Sequence, residues 1–115
     1  MKKVYVAGAM SANNILGVLE NISKGIKYGA EFLKRGYAPF VPHLDISFKL
    51  QQGEDYQVPL QSYYDYTMEW LTVSDCVFVV PGWENSIGTI NEMKKAQELG
   101  IPVYYDVEKL YEEIK

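Results

Sequence analysis

Asp75-Cys76-Val77-Phe78-Val79-Val80-Pro81-Gly82-Trp83-Glu84-Asn85-Ser86-Ile87-Gly88-Thr89-Ile90-Asn91-Glu92 is the stretch that decides the fold. Its first six residues form a short, apolar, β-branched run, the pattern of a strand buried on both faces of a sheet. A Gly/Ser turn then opens a helix whose first backbone amides can hold an anion. A carboxylate follows at the helix's second turn. The turn therefore belongs at the C-terminal edge of a parallel sheet, where α/β folds place their ligands.

The helical wheel gives Glu92 its interest. At 100° per residue, Asn91, Lys94, Lys95, Gln97 and Glu98 gather on one side, and Thr89, Met93, Ala96 and Leu99 on the other. Glu92 falls with the second group. A carboxylate on a buried face loses hydration worth several kcal/mol unless a partner holds it. The bland alternative is a Glu that caps a neighbouring amide or bends back into water. A buried carboxylate behind an anion-binding turn is a candidate nucleophile.

Working outward, strands and helices alternate along the whole chain. Val4 to Ala7 reads as the first strand, followed by the turn Gly8-Ala9-Met10-Ser11-Ala12-Asn13-Asn14. A helix is expected from about Gly17 to Lys34, with Ile22, Ile26, Ala30 and Leu33 as its buried stripe, and Gly36 ends it. Tyr37 to Val41 is the second strand and Pro42 stops it. His43 to Pro59 reads as a long loop with at most a short irregular turn, and loops of that length usually serve as lids or binding loops. Leu60 to Ser74 reads as a helix packing Tyr63, Tyr66, Thr67, Trp70 and Leu71 inward. A fourth strand at Pro102 to Tyr105 and a last helix from Val107 to Ile114 complete one domain over residues 1–115.

Right-handed crossovers then predict an α/β three-layer sandwich of the flavodoxin-like or Rossmann-like kind. Its parallel sheet should have four to five strands in the order 2-1-3-4. That order reverses between strands one and three, so the turns after those strands face each other across one crevice. Gly8, Ala9, Met10 and Ser11 on one side, and Asn85, Ser86 and Gly88 on the other, are the candidate ligand contacts.

Composition narrows the function classes. The chain has 115 residues, 48% hydrophobic and 23% charged, enough for a single core. A net charge of -4 and a pI near 4.9 disfavour a nucleic-acid polymer, whose backbone is held by clustered Lys and Arg. A small phosphorylated ligand is compatible, because helix-start amides need no net positive charge to bind one. One His and one Cys argue against a metal site and against disulfides, and Cys76 inside an apolar strand reads as a packed thiol. The chain opens on Lys2-Lys3 and a strand with no apolar run of membrane or signal-peptide length, so a cytoplasmic location is expected. The 10 Tyr residues, with Tyr63, Tyr64 and Tyr66 close together, exceed what so small a core hides readily. They predict a homodimer or higher homo-oligomer through an aromatic interface.

Val4-Tyr5-Val6-Ala7-Gly8, Asp75 opening the third strand, and Ser86-x-Gly88-x-x-x-Glu92 together resemble the nucleoside 2-deoxyribosyltransferase superfamily, including its 2'-deoxynucleoside 5'-monophosphate N-glycosidase branch. Pro-Gly-Trp-Glu-x-Ser-x-Gly is most similar to small bacterial and phage members of that group. The resemblance implies a nucleoside or nucleotide substrate, no cofactor, Glu92 as the nucleophile at C1' of the sugar, and Tyr5 as the group that orients it. It further implies that Ser86 and Gly88 bind the 5'-end, Ser86 following the monophosphate branch, and that His43 lies near the base or sugar. Two positions depart from the pattern. The family's acid for the leaving base falls here on Thr67, which leaves Asp65, two residues earlier, as the candidate substitute if the helix start is distorted. The monophosphate branch's phosphate-binding Arg is replaced by the neighbourhood of Met10, Ser11 and Asn13. A second resemblance runs through Gly88-Thr89-x-x-Glu92, which is similar to the phosphate-and-ribose signature of the lonely guy phosphoribohydrolases. It implies the alternative of a non-catalytic nucleotide-binding or sensing domain.

Overall fold

Strand β1 (Lys3–Ala7) forms the centre of the molecule, paired in parallel with β2 (Ala38–Phe40) on one side and β3 (Cys76–Val79) on the other. β4 (Val103–Tyr104) joins β3 in parallel, so the sheet runs 2-1-3-4, the predicted order. A computed structural model describes residues 1–53 and 58–115. The register sets Tyr5 beside Val77 and Val6 beside Phe78. Successive residues of a strand point to opposite faces, so β1 divides its side chains between two cores. Val4 and Val6 join Cys76, Phe78, Phe32 and Leu110 on one face. Tyr5 and Ala7 join Val77, Val79, Leu71 and Met93 on the other.

Helices α1 (Ile15–Lys34) and α5 (Val107–Glu113) cover the first face, and α3 (Leu60–Thr72) and α4 (Ile87–Glu98) the second. This is a flavodoxin-like arrangement. α1 starts two residues earlier than the sequence suggests because Asn14 caps it, its Oδ1 accepting from the Gly17 amide at 2.8 Å. Gly36, with φ of 87°, follows the last turn in the left-handed region that glycine tolerates best.

The buried stripe of α1 differs from the expected one. Ile22 is buried as predicted, but Ile26, Ala30 and Leu33 are exposed, and Gly25, Gly29 and Phe32 take their place. A count of apolar side chains overlooks glycines. Here they let the helix backbone approach the chain after β2 so closely that a methyl on Gly25 would overlap the His43 ring, and one on Gly29 would overlap Val41. In α3, Thr67 and Leu71 are buried, Tyr63 and Tyr66 are half-buried, and Trp70 is half-exposed, stacked on Phe40 at 5.7 Å. Leu99, placed with the buried side of α4, is also exposed.

The segment after β2 has more structure than a loop. Pro42–Asp45 winds as a 3₁₀ turn and continues into the short helix α2 (Ile46–Lys49). Pro42 fits the first turn because its missing N–H has no partner to lose there. The part of the expected lid at 54–57 lies outside the described residues. Among the described residues, no helix is long and apolar enough to cross a membrane.

Candidate active site

The turns after β1 and β3 meet at the C-terminal edge of the sheet and enclose a crevice of about 500 Å³. Gly8 to Ser11 line one wall, and Asn85, Ser86 and Gly88 line the other, the two groups that topology alone brings together. Both walls are tied down. Asn21 of α1 donates to the carbonyl oxygens of Met10 at 3.4 Å and Ser11 at 3.2 Å. Lys24 reaches from the same helix to the Pro81 carbonyl at 2.9 Å, bracing the turn at Gly82, where φ is 96°. Ser86 caps α4, its Oγ accepting from the Thr89 amide at 3.3 Å and sharing a 2.8 Å hydrogen bond with the Thr89 hydroxyl. The remaining free amides of that first turn carry the positive end of the helix dipole at the crevice wall.

Glu92 is half-buried one turn further along α4 and lines the same crevice. Tyr5, fully buried in β1, donates its hydroxyl to Glu92 Oε2. Burial pushes the Glu92 carboxyl up to about 7, the Tyr5 hydrogen bond pulls the other way, and the charge of Asp45 adds to the rise. Burial, followed by the charge of Glu92, holds the Tyr5 phenol well above its ordinary range. Tyr5 therefore stays a donor at every accessible pH. Glu92 is close to half-ionised at neutrality.

A second carboxyl, overlooked in the sequence, completes the site. Asp45, at the end of the 3₁₀ turn, is buried, lines the crevice, and accepts a hydrogen bond from the Tyr66 hydroxyl of α3. Burial raises its pKa, against the pull of that hydrogen bond and of Lys49. Two carboxyls in one crevice, each held by a tyrosine, are the equipment of acid–base and nucleophilic chemistry. Only the extra turn of structure after Pro42 brings Asp45 inward. In the sequence it lies within the segment read as a long loop.

The other candidates sort as follows. Asp65 is exposed on the outer face of α3, accepting from Gln61 Nε2 at 2.9 Å, and does not line the crevice. α3 is regular from Leu60 onward, so the distortion that would swing Asp65 inward is absent, and its expected acid role is corrected. Thr67 does line the crevice, with its hydroxyl bonded back to the carbonyls of Tyr63 at 2.9 Å and Tyr64 at 3.0 Å. His43 is buried between Gly25 and Gly8 and is absent from the crevice wall, contrary to its expected place near the ligand. Neither ring nitrogen has a hydrogen-bond partner among the described residues, and burial lowers its pKa to about 4, against a weak upward pull from the Ala9 backbone. Trp83 packs beside the α3–α4 core and against Tyr105 at 5.8 Å, also outside the crevice. Burial, with a contribution from Asp75, pushes the Cys76 thiol up to about 12, so it stays an unreactive thiol. Among the described residues, no cluster of His, Cys, Asp and Glu could hold a metal ion.

Residues 2–105 match the family described as Domain of unknown function (DUF4406). Among solved structures, a 2-deoxyribosyltransferase from the psychrotolerant bacterium Bacillus psychrosaccharolyticus is similar, with a TM-score of 0.61 and 20% sequence identity. The likeness covers 88% of this chain and 69% of that one, and at such identity it shows a shared fold. No curated protein matches the chain in sequence.

Proposed function

Because the chain belongs to the DUF4406 family and shares the fold of a 2-deoxyribosyltransferase, we propose that its crevice cleaves or transfers the N-glycosidic bond of a 2'-deoxynucleoside or its 5'-monophosphate, with Glu92 as nucleophile. The observation that carries this reading is the pairing of Tyr5 with a half-buried Glu92 on a crevice wall that also holds Asp45. A carboxylate merely capping a backbone amide would not need a fully buried phenol aimed at it.

The chemistry follows from the two carboxyls. Tyr5 fixes Glu92 Oε2, leaving Oε1 to attack C1' as the C1'–N bond breaks through an oxocarbenium-like state. The bond's electron pair leaves on the base, which takes a proton from the Asp45 carboxyl. Water, or a second base, then attacks C1' and releases the Glu92 carboxylate, and Asp45 recovers its proton from the attacking group. In this reading Ser86, which caps α4, and the first amides of that helix hold the 5'-phosphate or 5'-hydroxyl.

Nucleosides and 5'-monophosphates incubated with the protein, and assayed by chromatography for free base, test the reading. Release from the 2'-deoxy substrates is expected. Tight binding without release would replace the enzyme by a nucleotide-binding or sensing domain.

A further inference from the structure

The domain leaves one face of α1 uncovered. Leu16, Leu19, Ser23, Ile26, Ala30 and Leu33 are all exposed, Leu16 by 64%, Leu19 by 53% and Leu33 by 59%. Helices on the surface of a lone domain normally turn polar residues outward. These six alternate at spacings of three and four over the whole helix, which is the a/d repeat of a helix-pairing seam. Leu16, Ser23 and Ala30 take the a positions, and Leu19, Ile26 and Leu33 the d positions.

The residues beside the seam choose the partner and its direction. One flank, the e positions, carries Glu20, Lys27 and Lys34. The opposite flank holds Ile15, which is exposed but uncharged, and Ile22 and Gly29, which are buried in the domain's own core and unable to meet another helix. A parallel pair would need charges from both flanks. An antiparallel pair brings the same flank of each helix together.

We propose that α1 is the interface of an antiparallel, two-fold homodimer. With Ser23 set against Ile26 of the second copy, Leu19 meets Ala30, so small residues face large ones over the middle of the seam, and Leu16 meets Leu33 at its ends. In that register Glu20 lies beside Lys27 of the second copy, and two-fold symmetry makes the bridge twice. Neither residue is ion-paired within the chain among the described residues. One stripe thus supplies both halves of its own complement, in size and in charge. A foreign helix would have no reason to find that match. The assignment moves the expected interface away from Tyr63, Tyr64 and Tyr66, which line the crevice or pack around Phe40 and Asp45.

Sedimentation velocity at tens of micromolar protein tests the proposal, with circular dichroism to follow the fold. The wild-type chain should have twice the monomer mass, and Ile26→Asp should be a folded monomer. Glu20→Lys and Lys27→Glu alone should each weaken association about 10-fold, from loss of two bridges and gain of two repulsions, while the double variant recovers it. A wild-type monomer would overturn the proposal, as would an Ile26→Asp dimer. A double variant no tighter than the single ones would rule out the antiparallel pairing.

Discussion

Glu92 and His43 are two of the ionisable groups that sequence placed at the ligand, and the structure treats them oppositely. Glu92 faces the crevice, and a tyrosine holds its charged form. His43 stands behind the crevice wall, wedged against two glycines with no partner for either nitrogen among the described residues. Desolvation acts on both, pushing the carboxyl up to about 7 and the imidazole down to about 4, so a shifted pKa alone does not separate them. The partner and the open face do. One group lies at the open crevice, and the other is packed behind it.

The largest break in this comparison comes from Glu92→Gln. It keeps the shape and removes the proposed nucleophile, so base release should fall by about 10⁴-fold or more. The same change should strengthen the fold at alkaline pH. A carboxyl whose folded pKa is raised from 4.5 to about 7 supports the fold fully below 4.5 and loses that support as pH rises to about 7. Above that window Glu92→Gln should therefore be the more stable protein, by on the order of 3 kcal/mol, with the gap closing towards pH 4.5. Thermal melts at the two ends of the window check the sign. Base release by the wild type should fall as pH drops below about 7, because the nucleophile gains a proton.

Gly25→Ala tests the other region. The added methyl overlaps the His43 ring, so the stability should fall by roughly 3 kcal/mol in a denaturant titration. Tyr5→Phe leaves the β1 core packed and takes one hydrogen bond from Glu92, which should cost about 10²-fold in kcat with KM little changed. The smallest effect is expected from His43→Leu. A similar volume without polar atoms should cost less than about 1.5 kcal/mol, and base release should stay within about threefold of wild type because no ligand contact is lost. It should also relieve acid sensitivity. A histidine with its pKa lowered from 6.5 to about 4 supports the fold above 6.5 and withdraws that support as pH falls towards 4. A collapse of base release in His43→Leu would erase the contrast between the two regions.

Much of this was legible in the chain, and the lapses share a cause. The run Cys76 to Val79 and the segment Val4 to Ala7 announced buried parallel strands, and alternation fixed the order that brings Gly8 and Ser86 together. Periodicity also turned Glu92 inward, because the helix around it is regular and Thr89, Met93 and Ala96 are buried beside it. It failed where glycine does the packing, at Gly25 and Gly29, since a hydrophobic pattern gives no weight to a residue whose contribution is its missing side chain. It failed again at Asp45, which a 3₁₀ turn after Pro42 carries into the crevice. The acid was sought on the regular helix, at Asp65. The carboxyl that lines the crevice lies on the irregular turn instead.

The most direct test of the account is intact-protein and peptide mass spectrometry after exposure to a 2'-deoxy-2'-fluoronucleoside, whose fluorine slows breakdown of a glycosyl ester more than its formation. A nucleophilic Glu92 predicts a mass gain of one fluorinated sugar, located on the peptide that carries Glu92 and absent from Glu92→Gln. Base release from ordinary deoxynucleosides with no adduct on that peptide, or the same adduct formed by Glu92→Gln, would contradict it.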